Sequence, residues 1–165
     1  MNSLTLPELL QVFPNSGELV WIGIRPAKKE PMIAVSQLYA DVQSGLCGDR
    51  YQGSSGRRQV TLIQWEHLQV LASITGKTVT PELLRRNLVI KGLNLLALKN
   101  RIFCIGEARL QMTGLCHPCS RMEVVLGPGG YNAMRGHGGI TAQIIGSGLL
   151  QLGDPVTVAD PVPSG

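Results

Sequence analysis

Aromatic residues are scarce in this chain, making up 4% of its 165 residues. So few rings leave few platforms for stacking single-stranded bases, and no tandem-basic run offers a grip on a phosphate backbone. Nucleic acid is therefore not an expected partner. Long apolar runs are missing too, because Gly and Pro break every charge-poor stretch, so no membrane span is expected. Residues 1–13 lack a basic start, and Pro7 and Glu8 interrupt any apolar centre there, which speaks against a secretory signal. The expected location is cytoplasmic, with Cys47, Cys104, Cys116 and Cys119 as reduced thiols. Charged residues amount to 16% against 44% hydrophobic ones. That balance argues against disorder and fits a soluble globular protein. Neither an internal repeat nor a domain boundary is visible. A single domain over residues 1–165 is expected, large enough for a core without cross-links, with a frayed tail at 161–165.

Glycine and proline are plentiful, at 20 and 10 residues, and they punctuate short alternating runs. Residues 6–13 read as a short helix with Pro7 in its first turn, stopped by Pro14-Asn15-Ser16-Gly17. Residues 18–25 are apolar on both faces and predict a buried strand, and residues 32–39 predict the next. The glycine-rich segment 44–58 reads as a functional or mobile loop, with Asp49 and Arg50 locking it as an ion pair or turn cap. Residues 58–63 alternate, with Val60 and Leu62 on one side. Trp65, Leu68, Leu71 and Thr75 then recur at helical spacing until Gly76. Thr80-Pro81-Glu82 carries the N-cap and first position of a brief second helix. Residues 87–90 and 100–105 read as strands, 93–98 fits either strand or turn, and 127–139 is too irregular for a helix. Runs at 140–148, 149–154 and 155–158 finish the sheet. About nine short strands with two or three short helices predict a mostly β fold, a closed β-barrel with small helical insertions.

Against this background the stretch around Cys116-His117-Pro118-Cys119 stands out. Residues 107–113 alternate, and so do residues 121–126, so period two on both sides predicts strand, turn, strand. Gly114 loosens the bend and Pro118 stiffens it, and two thiols are presented at its tip. Three chemistries share the C-x-x-C pattern. A dithiol redox pair would precede a helix, whereas a strand is predicted to follow here. A structural zinc site needs a second pair of ligands, and the spacing of Cys47 and His137 announces none. The third is a single thiolate acting as nucleophile or soft metal ligand, which His117 and Arg121 alongside would favour. Two inert thiols packed in a turn fit the spacing equally well. Cys104 reads as core and His67 as surface.

The arginines narrow the choice. Arg57-Arg58, Arg85-Arg86, Arg121 and Arg135 all fall at the ends of predicted elements, and guanidinium groups grip phosphate in a bidentate way. Glycines at 136–139 would let backbone N–H groups approach the same anion. An anionic small molecule is the expected ligand.

Several stretches, in this order, resemble the MOSC domain, named from the C-terminal part of molybdenum cofactor sulfurases. They are Gly45-Leu46-Cys47-Gly48-Asp49-Arg50-Tyr51, Arg58-Gln59-Val60-Thr61-Leu62-Ile63 with Glu66, and Leu84-Arg85-Arg86-Asn87-Leu88-Val89-Ile90-Lys91-Gly92. Gly106-Glu107-Ala108 then leads to Cys116-His117-Pro118-Cys119, followed by Arg135-Gly136 and Gly148-Leu149-Leu150-Gln151-Leu152-Gly153-Asp154. The resemblance covers residues 45–158 and implies a barrel of strongly bent strands. It also implies a pocket that holds a molybdopterin-type molybdenum cofactor or carries sulfur as a persulfide. By the same resemblance, Cys119 is the molybdenum ligand or sulfur carrier and Cys116 an assisting thiol. Arg58, Arg85, Asn87, Arg121, Arg135 and Gly136 form the cofactor-binding rim. The implied activity is reduction of N-hydroxylated compounds or sulfur transfer, with an electron-transfer or sulfur-donor protein as partner. The amidoxime-reducing members carry a further N-terminal region that helps enclose the cofactor. Here 44 residues precede the glycine loop, so looser cofactor retention is expected. The readings outside this family are a non-catalytic module for an anionic metabolite or partner, and a dithiol oxidoreductase.

Overall fold

Alternating apolar residues in short runs separated by Gly and Pro form eleven strands among the residues that the computed structural model describes, 3–51, 53 and 55–161. They are β1 (Gly17–Ile24), β2 (Ile33–Val35), β3 (Gln37–Asp41), β4 (Gly45–Leu46), β5 (Val60–Gln64), β6 (Leu88–Lys91), β7 (Arg101–Ile105), β8 (Ala108–Leu115), β9 (Ile140–Gly146), β10 (Gly148–Gln151) and β11 (Pro155–Pro161). Five short helices accompany them: α1 (Leu6–Leu9), α2 (Trp65–Thr75), α3 (Pro81–Leu84), α4 (Arg121–Leu126) and α5 (Gly130–Met134). Seven strands close a mixed barrel in the order β11-β7-β8-β9-β5-β6-β1, and β1 returns to β11 through Gly17–Val156 and Glu18–Pro155. Strand β2 extends the sheet beyond β1, and β10-β3-β4 make a small second sheet.

The pair β5–β6 is parallel, and a parallel pair cannot be joined by a tight turn. Helices α2 and α3 supply the crossover. Gly76 ends α2 in the left-handed conformation, and the Thr80 side chain caps α3 by accepting from Leu83 N. Because these helices cover the outside, β5 and β6 are buried on both faces. Leu62, Leu88 and Ile90 point into the barrel with Phe103, Leu110 and Ile144. Ile63 and Val89 turn outward beneath Leu68, Leu71, Leu84, Met122 and Met134. Phe103 is fully enclosed, so truncating it to Ala costs about 3–5 kcal/mol.

Several local expectations need correction. Residues 32–39 divide at Ser36 into β2 and β3, whereas the 93–98 stretch takes the turn of its two alternatives, with Leu95–Leu98 in a 3-10 turn capped by Asn94. Residues 121–126 are helix α4, not a strand: Met122 and Leu126, four apart, share the buried face while Val124 is exposed. Residues 130–134 are helical as well. Glu123 accepts from Gly129 N (2.6 Å) and Tyr131 N (2.9 Å) and so ties α4 to α5. The alternation of Met122, Val124 and Leu126 misled because six residues are too few to separate a period of 2 from one of 3.6. Pro161 ends β11, and the rest of the expected frayed tail, residues 162–165, lies outside the described residues.

Candidate functional site

The end of β8 delivers Cys116, and the start of α4 follows Cys119. Cys116 N donates to Gly139 O (2.9 Å), and Cys119 O accepts from Met122 N (2.9 Å). The segment before β9 packs tightly against this loop. A Cβ on Gly138 would run into Cys116 O, and one on Gly139, where φ is +88°, into Leu62 O. Both positions therefore exclude larger residues. The outcome is asymmetric: Cys116 is buried and Cys119 is exposed. His117 is also exposed.

Arg86 is the most informative basic residue here, and the expected rim left it out. Only 7% of it is exposed, yet none of its hydrogen-bond partners is a carboxylate. Its Nε donates to Gly138 O (2.8 Å) and its Nη1 to Leu84 O (2.7 Å). Burial pushes its guanidinium below the usual arginine range. The Cys116 and Cys119 sulfurs pull it back up, while the Arg25 and Arg58 charges add to the fall. A buried charge without a carboxylate partner is costly, so an anion opposite it is the expected relief.

Arg85 terminates α3 in the left-handed conformation, with φ of 56°, so its side chain leaves in a different direction from that of Arg86. It reaches the carbonyl oxygens of Glu30 and Ala27. Burial lowers its pKa, and the charges of Arg121, Arg25 and Arg50 lower it further, with Asp49 opposing them. Arg25, Arg50, Arg58, Arg85, Arg86 and Arg121 thus form one electrostatic cluster, and Asp49 is the single carboxylate acting on Arg85. That carboxylate is already committed. It pairs with Arg25 through Nε (3.1 Å) and Nη2 (2.8 Å) and also accepts from Arg25 N (2.7 Å). Burial works to raise its pKa, but the Arg25 hydrogen bonds and charge, joined by Asn87, hold the carboxyl below the usual range. The expected Asp49–Arg50 lock is therefore an Asp49–Arg25 pair. Arg50 Nε is left buried without a partner among the described residues.

Asn87 has a different place from the one expected. Its Oδ1 accepts from Thr61 N and Thr61 Oγ1, and its Nδ2 donates to Gly23 O and Asp49 Oδ1, all at 3.1 Å. Its amide is saturated, so Asn87 holds Asp49 and β5 in place and has nothing left to offer an anion. Arg58 and Arg121 are exposed members of the cluster. Arg135 turns to Asn132 Oδ1 (3.5 Å), and Gly136 is exposed with φ of 81°. Arg135 is not among the charges acting on Arg85 or Arg86.

Arg25 is the member that sequence reasoning passed over, while Arg86 was named with Arg85 but left out of the rim and Arg50 was read as a partner of Asp49. The signal for Arg25 was its place at the end of β1, immediately before Pro26. His67, expected on the surface, is half-buried against His137, with ring centroids 5.2 Å apart at 73°. Burial and then His137 lower the His67 pKa, and Glu66 opposes them. Cys104 is half-buried on the outer face of β7 and is not in the core, and Cys47 is exposed.

A cavity of about 900 Å³ lies elsewhere, beside α1. Charge and sulfur rather than volume mark the candidate face. Among the described residues, no three or more of His, Cys, Asp and Glu come together as a metal cluster, so a metal here would need most of its ligands from a bound cofactor. No helix is long and apolar enough to cross a membrane among the described residues.

Solved structures with this fold include the YUAD protein of Bacillus subtilis, at 19% identity and a TM-score of 0.75, covering 87% of this chain and 96% of that one. YiiM of Escherichia coli matches at 21% identity and a TM-score of 0.70, covering 92% of this chain and 73% of that one. YiiM of Geobacillus stearothermophilus matches at 18% and 0.70, covering 87% and 75%. No curated protein matches in sequence. The family model described as MOSC domain matches residues 35–157, beginning ten residues before the quoted motifs. With three-quarters of its length matched and the barrel in common, the chain belongs to the MOSC domain family.

Proposed function

We propose that this MOSC domain handles a molybdopterin-type molybdenum cofactor, with Cys119 as the protein sulfur that ligates the metal or carries sulfur to it. The observation that supports this reading most is the buried Arg86 guanidinium, which has only carbonyl oxygens as hydrogen-bond partners and lies within the electrostatic reach of the two cysteines. The residues fit the group: one exposed thiol can serve as a ligand, and Arg85, Arg50 and Arg121 supply positive charge for its phosphate. Arg50 Nε, buried and unpartnered, adds an unused donor. Arg85, Arg50 and Arg121 would hold the phosphate end, Arg58 and Arg86 would face the sulfur, and Cys119 would ligate the metal. When bound, the cofactor supplies a metal centre for two-electron redox chemistry. The chain's own residues bind and orient it, while Cys116 and Gly138 fix the loop that carries Cys119.

In the carrier role, the Cys119 thiolate attacks the outer sulfur of a donor persulfide. An S–S bond forms at Cys119 as the donor's S–S bond breaks, and the donor leaves as a thiolate. The partner would then be a sulfur-donor protein, whereas in the reductase role it would be an electron-transfer protein acting on N-hydroxylated compounds. Elemental analysis and intact mass of protein from a molybdenum-replete host separate the roles. Molybdenum with a fluorescent pterin supports the reductase, and one added sulfur on Cys119 supports the carrier. If the Cys119→Ser protein retains the same metal and the same mass increment, the proposal is wrong.

One observation favours a second reading, a dithiol oxidoreductase. A helix follows Cys119, and one thiol is exposed while the other is buried. The pair thus precedes a helix, where the sequence predicts that a strand follows. Turnover of a disulfide substrate with cycling of Cys116 and Cys119 would establish it.

A further inference from the structure

Helix α1 buries none of its residues. Leu4, Leu6, Leu9, Leu10 and Val12 are 50–68% exposed, and Leu96 across from them is 46% exposed. The arm is held to the barrel by Arg101, whose Nη1 donates to Gln11 Oε1 (2.6 Å) and Nη2 to Leu10 O (2.7 Å). Between the arm and the 3-10 turn runs the 900 Å³ cavity, walled on one side by Leu6, Leu9 and Leu10 and on the other by Leu93 and Leu96. One face therefore carries both an apolar projection and an apolar groove.

We propose that this face is the interface of a two-fold homodimer, in which α1 of each copy seats in the groove of the other. Three observations favour a second copy of this chain. Projection and groove lie side by side, which is the self-complementarity that an isologous contact requires. The charges match in the same way. Glu8 on α1 is exposed and kept ionised by Thr5 N (2.7 Å) and Thr5 Oγ1 (2.9 Å). Lys99 lines the groove and has no ion pair among the described residues. A two-fold axis brings Glu8 of one copy towards Lys99 of the other.

The area is also sufficient. Six side chains exposed to this degree leave on the order of 500 Å² of apolar surface, near the upper limit for a patch on a monomer. Two copies then contribute about 1,000 Å² from these residues alone. That total is at the threshold for a specific protein–protein interface.

Sedimentation velocity on the full chain tests this. With this interface formed, the wild type at about 100 µM should sediment mainly as a dimer. The expected mass is twice 17.8 kDa. Leu9→Asp and Leu96→Lys, both at exposed positions, should each sediment as monomers with unchanged circular dichroism and melting temperature. Mixed in equal amounts they should recover dimer, because the aspartate at position 9 of one copy then meets the lysine at position 96 of the other as an opposite-charge contact. The proposal is overturned by a wild type that stays monomeric at that concentration or by variants that still dimerise. Failure of the mixture to recover dimer overturns it too, as does a monomer that binds 3:1 phosphatidylcholine–phosphatidylglycerol vesicles through Leu9.

Discussion

Replacing Asn87 by alanine should be among the most damaging polar substitutions in this protein, although no ligand is involved. The side chain is fully buried, and all four of its hydrogen-bonding positions are used. Alanine leaves Thr61 N, Gly23 O and one lone pair of Asp49 Oδ1 without their partner, whereas Thr61 Oγ1 keeps its bond from Asn87 N (3.0 Å). Each buried group orphaned in this way costs about 1–3 kcal/mol. Partial relief for Asp49, which retains Arg25, brings the expected loss to about 3–5 kcal/mol, a large share of a domain's stability. Urea denaturation followed by tryptophan fluorescence should show a lower midpoint at unchanged slope.

Asn87→Asp provides a control with a distinct signature. It keeps the acceptor for Thr61 but sets a second carboxylate against Asp49, and two carboxylates so close cannot both ionise. The folded-state pKa of the new carboxyl is therefore raised. Its full contribution is present below about pH 4 and is lost as pH rises through the folded value, so the defect relative to wild type should be larger at pH 7 than at pH 4. A loss below about 1 kcal/mol for Asn87→Ala would refute the hydrogen-bond account of this residue.

Further outcomes follow from the same geometry. The Asp49 carboxyl is held below its ordinary range, so its stabilisation is present above about pH 4 and lost as pH falls through the folded value. Acid titration of Asp49→Asn should accordingly show a shallower loss of stability than wild type. His67 also has a lowered pKa, so stability should decline as pH falls below about 6.5, and His67→Phe should flatten that slope in thermal melts. Iodoacetamide under native conditions should label the exposed Cys119 and Cys47 and spare the buried Cys116, as peptide mass spectrometry can check; rapid labelling of Cys116 would contradict the packing of its loop. Gly139→Ala drives a Cβ into Leu62 O at a left-handed position and should cost more than 2 kcal/mol or prevent soluble expression, as chemical denaturation would show.

Much of the scaffold was open to local reading. Gly76 and Thr80 each act within one turn of their own position, so the end of α2 and the start of α3 fell where predicted. The runs at 58–63 and 87–90 likewise announced β5 and β6 as strands, while their burial on both faces came from the helices packed outside them. The segment 121–126 was misread because its apolar alternation suits a strand, and only packing against α5 and the outer core makes it a helix. The two arginines of the 85–86 pair could not be told apart in sequence. The left-handed turn at Arg85 sends one guanidinium to the Glu30 and Ala27 carbonyls and the other into a buried place beside the cysteines.

The sequence alone determined most of the strands and the family, since strand period, caps and ordered motifs are encoded by near neighbours. The tertiary structure decided which charges meet. Arg25, Asp49 and Asn87 lie up to 64 residues from the atoms they bond, and no local pattern carries that information. Whether a charge is solvated on a surface or buried beside a sulfur depends on what barrel closure excludes from water, and closure is a property of the whole chain.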